Sequence, residues 1–562
     1  MAQNGLRTGG QILVDALKKH GVDMAFAVPG ESYLAVLDAL HDAGNQIRLV
    51  TCRQEGGAAY MAEAYGKLTG RPGICMVTRG PGASNAAIGL HTAFQDSTPM
   101  ILLIGQVARD QEEREAFQEV DYRRMFGPMT KWTAQIEDAR RIPEIISQAF
   151  HRALNGRPGP VAIALPEDML TDLVETADAG HYVLARPNPG PAQMAELRER
   201  LARAKRPFMI LGGGGWDAKA VDDIRAFAEL MDIPVGTSFR CQDLFDNTHR
   251  NYAGDVGIGI NPKLAERVRT SDLLLVVGAR LGEMTTSGYT LPVPPVPKQP
   301  LIHVHASAEE LGRVYQTVLP INSGMAGFAA MARTLLPVDH SAWKDSTESA
   351  HADFLEWQKH SPNAGPVQMG EIMAYLREKL PADAILTNGA GNYASWLHRF
   401  YRFRRYRTQL GPTNGSMGYG VPSAIAAKLV HPDRIVVSFN GDGCFLMNGQ
   451  ELATAIQHNV NVIFLVINNG MYGTIRMHQE REYPGRVSGT DLRNPDFAAL
   501  ARAYGAHGET VTKTEEFAPA FERAMKAGKA AVIEVQLDPE AITPRAGISE
   551  IRAAAQKAKA AR

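Results

Sequence analysis

Residues 434–473 read RIVVSFNGDGCFLMNGQELATAIQHNVNVIFLVINNGMYG. The apolar run RIVVSF predicts a strand that ends at Asn440-Gly441-Asp442-Gly443, and QELATAIQH predicts a helix. A second strand, NVIFLVI, ends at Asn468-Asn469-Gly470. In a strand–helix–strand unit of this kind both polar tips lie at carboxyl ends of parallel strands, where open α/β sheets bind ligands. A carboxylate, an amide oxygen and a free backbone carbonyl form a hard-oxygen set suited to Mg²⁺, whose remaining ligands are phosphate oxygens. Gly441 and Gly443 allow the backbone to approach a diphosphate, and the start of the next helix adds a favourable dipole. Taken singly, GDG is a tight turn and NNG a strand-end turn. Together, in this setting, they point to a metal–diphosphate site.

The same alternation runs through the chain. PGICMVT (72–78), MILLIG (100–105), VAIALP (161–166), FMILGG (208–213), LLLVVGA (273–279), LIHVHA (301–306) and AVIEVQL (531–537) read as strands buried on both faces. Amphipathic stretches such as 9–21 and 195–206 lie between them. The pattern predicts an α/β protein built from doubly wound parallel sheets. Two segments, 185–193 and 337–366, are rich in proline or polar residues and lack strand signal. Cutting there predicts three domains, 1–185, 186–340 and 341–562.

Composition narrows the function. The 562 residues carry 59 Lys and Arg against 60 Asp and Glu, so no charge excess favours nucleic acid or a membrane surface. Four scattered cysteines form no zinc or disulfide pattern, and the N-terminus lacks a signal-peptide pattern. The expected address is the cytoplasm.

The GDG…NN segment resembles the signature of thiamine-diphosphate-dependent enzymes, and the surrounding words look like the acetolactate synthase branch and its relatives. The resemblance implies a pyrimidine-binding domain, a central domain and a diphosphate-binding domain, in that order. It implies that Asp442, Asn469 and the carbonyl of Met471 hold Mg²⁺, with Gly441, Gly443, Cys444 and Tyr472 around the cofactor. NGAGNYASW (388–396) places Gly391, Asn392 and Tyr393 against the diphosphate. GPTNGSMGYGVPSA (411–424) gives Met417 the place beneath the two cofactor rings and the Gly415 carbonyl the bond to the cofactor amine. From the residues alone, that last stretch reads equally as a glycine-rich loop with a core methionine.

In the first domain, IRLVTCRQEGGAAYMAEAYG (47–66) puts Glu55 between a strand and a small-residue helix. By position alone such a carboxylate is more often a helix-terminus partner than a catalyst. The resemblance makes Glu55 the acid that bonds the pyrimidine ring nitrogen and promotes the imino tautomer of the cofactor's amine, in a dry pocket. In that family the glutamate and the diphosphate site come from different chains, which implies a homodimer at least, and tetramers are common. AFAVPGES (25–32) places Pro29 and Gly30 beside the cofactor. EAFQEVD (115–121) places Phe117 and Gln118 near the reacting centre, where core packing and a loop hydrogen bond are the equal alternative.

Several words depart from the biosynthetic acetolactate synthase pattern. The lysine of LPKD is Glu167 here, the tryptophan after the NN turn is His478, FDDR is replaced by LGEM (281–284), and no GMHG word occurs. His478 is a candidate substrate-pocket group. The departures count against FAD, for which LGGGGWD offers only a weak dinucleotide-like loop. The expected activity is an Mg²⁺- and thiamine-diphosphate-dependent carboligase that decarboxylates a 2-keto acid and adds the remainder to a second carbonyl. The alternatives on the same scaffold are a 2-keto acid or oxalyl-CoA-type decarboxylase, a benzaldehyde-lyase-like aldehyde lyase, or a non-catalytic cofactor-binding paralogue. The physiological substrates and any regulatory subunit are not legible in the residues.

Overall fold

A computed structural model describes residues 5–561. It contains three six-stranded sheets, each wholly parallel, with helices between successive strands. The first comprises β1 (Met24–Ala27), β2 (Arg48–Thr51), β3 (Gly73–Val77), β4 (Met100–Gln106), β5 (Trp132–Gln135) and β6 (Pro160–Pro166), in the order β2-β1-β3-β4-β6-β5. The second comprises β7 (Pro207–Leu211), β8 (Val235–Ser238), β9 (Tyr252–Val256), β10 (Leu273–Val277), β11 (Leu301–His305) and β12 (Leu319–Asn322), in the order β9-β8-β7-β10-β11-β12. The third comprises β13 (Ile385–Asn388), β14 (Gln409–Leu410), β15 (Val436–Gly441), β16 (Ile463–Asn468), β17 (His507–Val511) and β18 (Ala531–Gln536), in the order β14-β13-β15-β16-β18-β17. The fold is therefore α/β with doubly wound sheets, as the alternation of apolar runs predicts.

The chain divides into two compact units. One holds the residues up to Ala185 with 425–430 and 453–458, and the other holds the remainder, including the second and third sheets. Central strands such as β3, β10 and β15 are buried along their whole length. That is why these segments read as unbroken apolar runs rather than alternating ones. The polar segment after 337 contains one helix, Lys344–Trp357.

Small residues set the spacing in the first unit. Helix α1 (Glu55–Thr69) is EGGAAYMAEAYGKLT and packs on α2 (Pro81–Asp96). A Cβ at Gly89 would stand 2.3 Å from the Ala59 Cβ, and one at Gly73 would stand 1.8 Å from the Ala62 carbonyl oxygen. Gly89 of α2 and Gly73 of β3 therefore let these elements approach the alanines of α1 closely.

The strand orders locate the ligand edges. In the first and third sheets the order reverses beside the first strand, between β1 and β3 and between β13 and β15. Crevices at such switch points open at the carboxyl ends of the strands. In the second sheet the reversal lies between β7 and β10.

Candidate active site

The third sheet brings its polar tips together. Asp442 follows β15 as the first residue of α3 (Asp442–Asn448), whose N-cap is Gly441. Its Oδ1 accepts from the Gly443 N–H at 2.8 Å, and its Oδ2 accepts from the Gly470 N–H at 2.9 Å and from Asn494 Nδ2 at 2.8 Å. Burial pushes the Asp442 carboxyl above the ordinary aspartate range, while these donors pull it down.

The two asparagines after β16 have different duties. Asn468 Oδ1 accepts from Gly470 N–H and Asn494 Nδ2, and its Nδ2 donates to Glu534 Oε1 at 2.7 Å. Its amide is committed to the fold. Asn469 is half-buried, and its side chain takes part in no such network among the described residues. Met471 pairs with Asp491 in an isolated antiparallel bridge, and its backbone N–H is a further donor to the Asp442 carboxylate. Asn494, in the loop after α4 (Gly473–Glu482), ties both strand tips together and has no counterpart in the sequence reading. It arrives from a polar loop without periodicity, so no spacing rule marks it.

The glycines here meet steric demands. A Cβ at Gly441 would lie 2.8 Å from the Tyr393 ring and one at Gly443 2.5 Å from the Tyr472 ring. Tyr393 is buried and donates to Cys444 Sγ at 3.2 Å, and Cys444 Sγ also accepts from the Gly418 N–H at 3.1 Å. These two side chains thus form a buried brace behind the glycine turns. Asn392 is held by Thr474, which receives the Asn392 N–H at 2.9 Å and donates back to Asn392 Oδ1 at 3.0 Å. Gly391 has φ of 155°. Gly415 has φ of 73° and open space around its Cα, and Met417 packs on the third domain's core from a half-buried position. His478 lies exposed on α4, with its ring bonded to Arg481 of the same helix. Desolvation and then Arg481 lower its pKa.

In the first unit, Glu55 opens α1 after the N-cap Gln54, whose side chain accepts from the Gly57 N–H at 3.0 Å. Gln54 thus serves as the cap, and the Glu55 carboxylate turns elsewhere. Its Oε2 accepts from Asn85 Nδ2 of α2 at 2.9 Å, and its Oε1 would stand 3.3 Å from a Cβ at Gly82. Gly30, after β1, packs against Thr78 so closely that a Cβ would stand 2.4 Å from the Thr78 Cβ. Pro29 precedes it at the same edge. Arg79, after β3, gathers the other groups. Its Nη1 donates to Glu167 Oε2 at 2.8 Å, its Nε to the Phe117 carbonyl at 3.1 Å, and Glu31 lies 3.9 Å from Nη2. Phe117 is 73% exposed. Gln118 takes a positive φ of 66°, and its Oε1 is buried without a hydrogen-bond partner.

Among the described residues no three His, Cys, Asp or Glu side chains form a metal cluster, and no helix is long and apolar enough to cross a membrane. The third sheet's donors are of another kind, one carboxylate with amide and carbonyl oxygens. Such a set suits a hard cation shared with a diphosphate.

One parallel sheet carries a buried aspartate at a glycine turn, and another of the same strand order carries a glutamate at its tip, each at an edge where such sheets bind ligands. The chain belongs to the thiamine pyrophosphate enzyme family. Residues 7–125 match its N-terminal TPP binding domain, 194–332 its central domain and 389–535 its C-terminal TPP binding domain. It is 33% identical over 537 residues to the acetolactate synthase large subunit of Corynebacterium glutamicum, covering 92% of this chain and 84% of that one. It is 32% identical to the Lactococcus lactis large subunit (89% and 87% covered) and 29% identical to the isozyme 2 large subunit of Escherichia coli (94% and 95% covered). The protein is a thiamine-diphosphate-dependent enzyme of the acetolactate synthase type.

Proposed function

We propose that the enzyme binds thiamine diphosphate through Mg²⁺ and decarboxylates a 2-keto acid such as pyruvate, joining the remaining fragment to a second carbonyl compound. The observation that carries this reading is the buried Asp442 carboxylate at the tip of β15, held by Gly443, Gly470, Met471 and Asn494 beside the turn that carries Asn469. Asp442, Asn469 and the Met471 carbonyl are the metal donors, and Gly391, Asn392, Gly441 and Gly443 receive the diphosphate. The bound cofactor supplies the carbon nucleophile and the electron sink. Glu55 holds a proton at the pyrimidine ring nitrogen, and Asn85 keeps its carboxyl aimed away from its own helix. Gly415 and Met417 support the bent cofactor, and Gln118 and Phe117 border the substrate.

Two such half-sites complete one another across a homodimer. Phe117 and Leu34, bare on a single chain at 73% and 61% exposure, favour cover by a second copy. Close loop packing at the second sheet counts against FAD. At its switch point a Cβ on Gly213 would stand 2.0 Å from the Gly278 carbonyl oxygen, so the loops close on each other. The buried Trp216 indole donates to the Gly212 carbonyl at 2.9 Å and fills part of the space beside that loop.

Dialysis against a chelator followed by add-back tests the reading. Turnover of pyruvate should return only with both Mg²⁺ and thiamine diphosphate, and turnover indifferent to either ends it. Colorimetric detection of acetolactate and acetoin reads the joining step. A second reading, decarboxylation without joining, is favoured by one contact. Arg79 is already engaged by Glu167, so it is not free to pair with the carboxylate of a keto acid acceptor. Aldehyde and CO₂ in equal amounts, without acetoin, would select it.

A further inference from the structure

A cavity of about 250 Å³ lies between the end of the helix Lys344–Trp357 and the helix Met369–Lys379. Its walls carry Lys359, His360, Arg377 and Arg402, and no Asp or Glu lines it. Phe400, the last residue of the helix Ala394–Phe400, supplies an apolar wall. All of these residues belong to one compact unit. The chain as a whole balances 59 basic against 60 acidic residues, so this excess of positive charge is local.

The two arginines are held by groups other than carboxylates. Gln358 is buried, and its amide nitrogen donates to the Arg399 carbonyl at 3.1 Å. Its Oε1 accepts from Arg402 Nε at 2.6 Å, which fixes that guanidinium in place. Among the described residues the two Nη groups of Arg402 have no acceptor. Arg377 Nη1 reaches the Phe400 carbonyl across a long 3.5 Å. Burial, and then the charge of Arg377, hold the Arg402 guanidinium below its ordinary range. Like charges held near one another are unfavourable, and an anion bound beside both reverses the sign of that interaction. Lys359 pairs with Glu356 at 2.5 Å, but both side chains are mostly in water, so the pair is weak.

The opposite wall is the first turn of the helix Met369–Lys379. A Cβ at Gly370 would stand 1.9 Å from His360 Nδ1, so the imidazole packs directly onto the helix start. The N-cap residue Gln368 spends its side chain on Asn363 and Gly365 and does not cap that turn. The positive end of the helix dipole therefore adds to the cationic side chains.

We propose that this cavity binds a small phosphate-bearing anion, at a site separate from the cofactor's own diphosphate. Two guanidiniums and an ammonium suit a dianionic phosphate group, whose oxygens accept from more than one cation at once. A monocarboxylate such as pyruvate brings one charge and two oxygens and leaves most of these donors unused. The volume falls short of the roughly 300 Å³ at which drug-sized ligands begin to fit. The occupant is thus free phosphate or a small phosphate ester rather than a whole nucleotide. The site does not depend on the reaction given under Proposed function.

The test titrates inorganic phosphate, and separately glycerol 3-phosphate, into the full-length enzyme saturated with Mg²⁺ and thiamine diphosphate, read by calorimetry at fixed ionic strength. Wild type should bind one equivalent per chain. The double variant R377Q/R402Q should bind at least about tenfold more weakly, the loss of one charge-assisted hydrogen bond or more. K359Q/H360Q alters two exposed side chains and leaves the fold intact, so it reads the site even where the arginine variant is unstable. It should weaken binding by about threefold or more. D442N, altered in the cofactor cleft, should bind phosphate as wild type does. Tighter binding of inorganic phosphate would mark the free ion as occupant, and tighter binding of glycerol 3-phosphate an ester; either upholds the site. A wild type that binds neither overturns it, as does binding indifferent to both double variants. Binding lost in D442N would place the anion in the cofactor cleft and overturn it too. Displacement of phosphate by an equal concentration of acetate would overturn the assignment to phosphate.

Discussion

The first and third sheets have the same strand order, and each reverses beside its first strand. Yet their ligand edges carry opposite equipment. The third ends β15 and β16 in a carboxylate, two amides and glycine turns against which the Tyr393 and Tyr472 rings pack closely. The first ends β2 in one glutamate aimed at α2 and surrounds β3 with a charge cluster around Arg79. One topology therefore carries two sets of tip residues, to which the proposed function gives two jobs, holding charge in one copy and managing a proton in the other. Strand order places a crevice, and only the residues at the tips decide its chemistry.

The comparison breaks most visibly at Asp442. D442N keeps the shape but removes the charge that faces the metal, and turnover should fall by about a thousandfold or more, with cofactor half-saturation moving to much higher Mg²⁺. Undiminished activity would deny the third sheet its charge-holding job. At the first sheet, E55Q keeps the shape and the contact with Asn85 but cannot supply the acid. Turnover should fall by about 100-fold at saturating cofactor, with deuterium exchange at the cofactor's reactive carbon slowed in step. Cofactor affinity should stay within a few fold. If E55Q instead lost cofactor binding and kept exchange, the assignment of jobs would be reversed.

How far this division can be read from the chain depends on where each residue comes from. Asp442, Gly443 and Asn469 sit in one continuous strand–helix–strand stretch, and β15 and β16 are neighbours, so the sequence order already carries the spatial one. Glu55 could be located but not assigned, since a carboxylate in a first helical turn has an ordinary electrostatic use there. That Gln54 performs the capping becomes evident only from its bond to Gly57. Asn494 and Thr474 act across folded loops and leave no periodic trace. The second sheet hides most. Strands β8 and β9 are short and interrupted by Gly236 and Gly254, so they show little periodic pattern.

A smaller effect sharpens the account of the third sheet. Asn494 touches no metal in the proposed arrangement. It donates to both Asp442 Oδ2 and Asn468 Oδ1 and so fixes the distance between the two strand tips. N494A should weaken Mg²⁺ activation by about tenfold, as loss of a supporting partner behind a ligand commonly does. Maximal turnover at saturating Mg²⁺ should stay near wild type. A fall in maximal turnover without a change in Mg²⁺ demand would mean that Asn494 acts on substrate instead.

The smallest expected effect concerns the charge cluster of the first sheet. Arg79 donates to Glu167 and to the Phe117 carbonyl and lies near Glu31, so the cluster holds two carboxylates and one cation. Under the proposed function, its excess negative charge repels an anionic substrate that approaches along this edge. Glu167 is about one-third exposed, so water screens much of that repulsion. E167Q removes one unit of negative charge and releases one guanidinium N–H while keeping the loop bond to Phe117. The KM for pyruvate should drop by about two- to fivefold, in line with an interaction of less than about 1 kcal/mol, with kcat nearly unchanged. The gain should shrink as salt is raised, because the interaction lies within reach of screening ions. A KM that rises instead would show that Glu167 contacts the substrate directly, and the first sheet would then bind substrate as well as manage the proton.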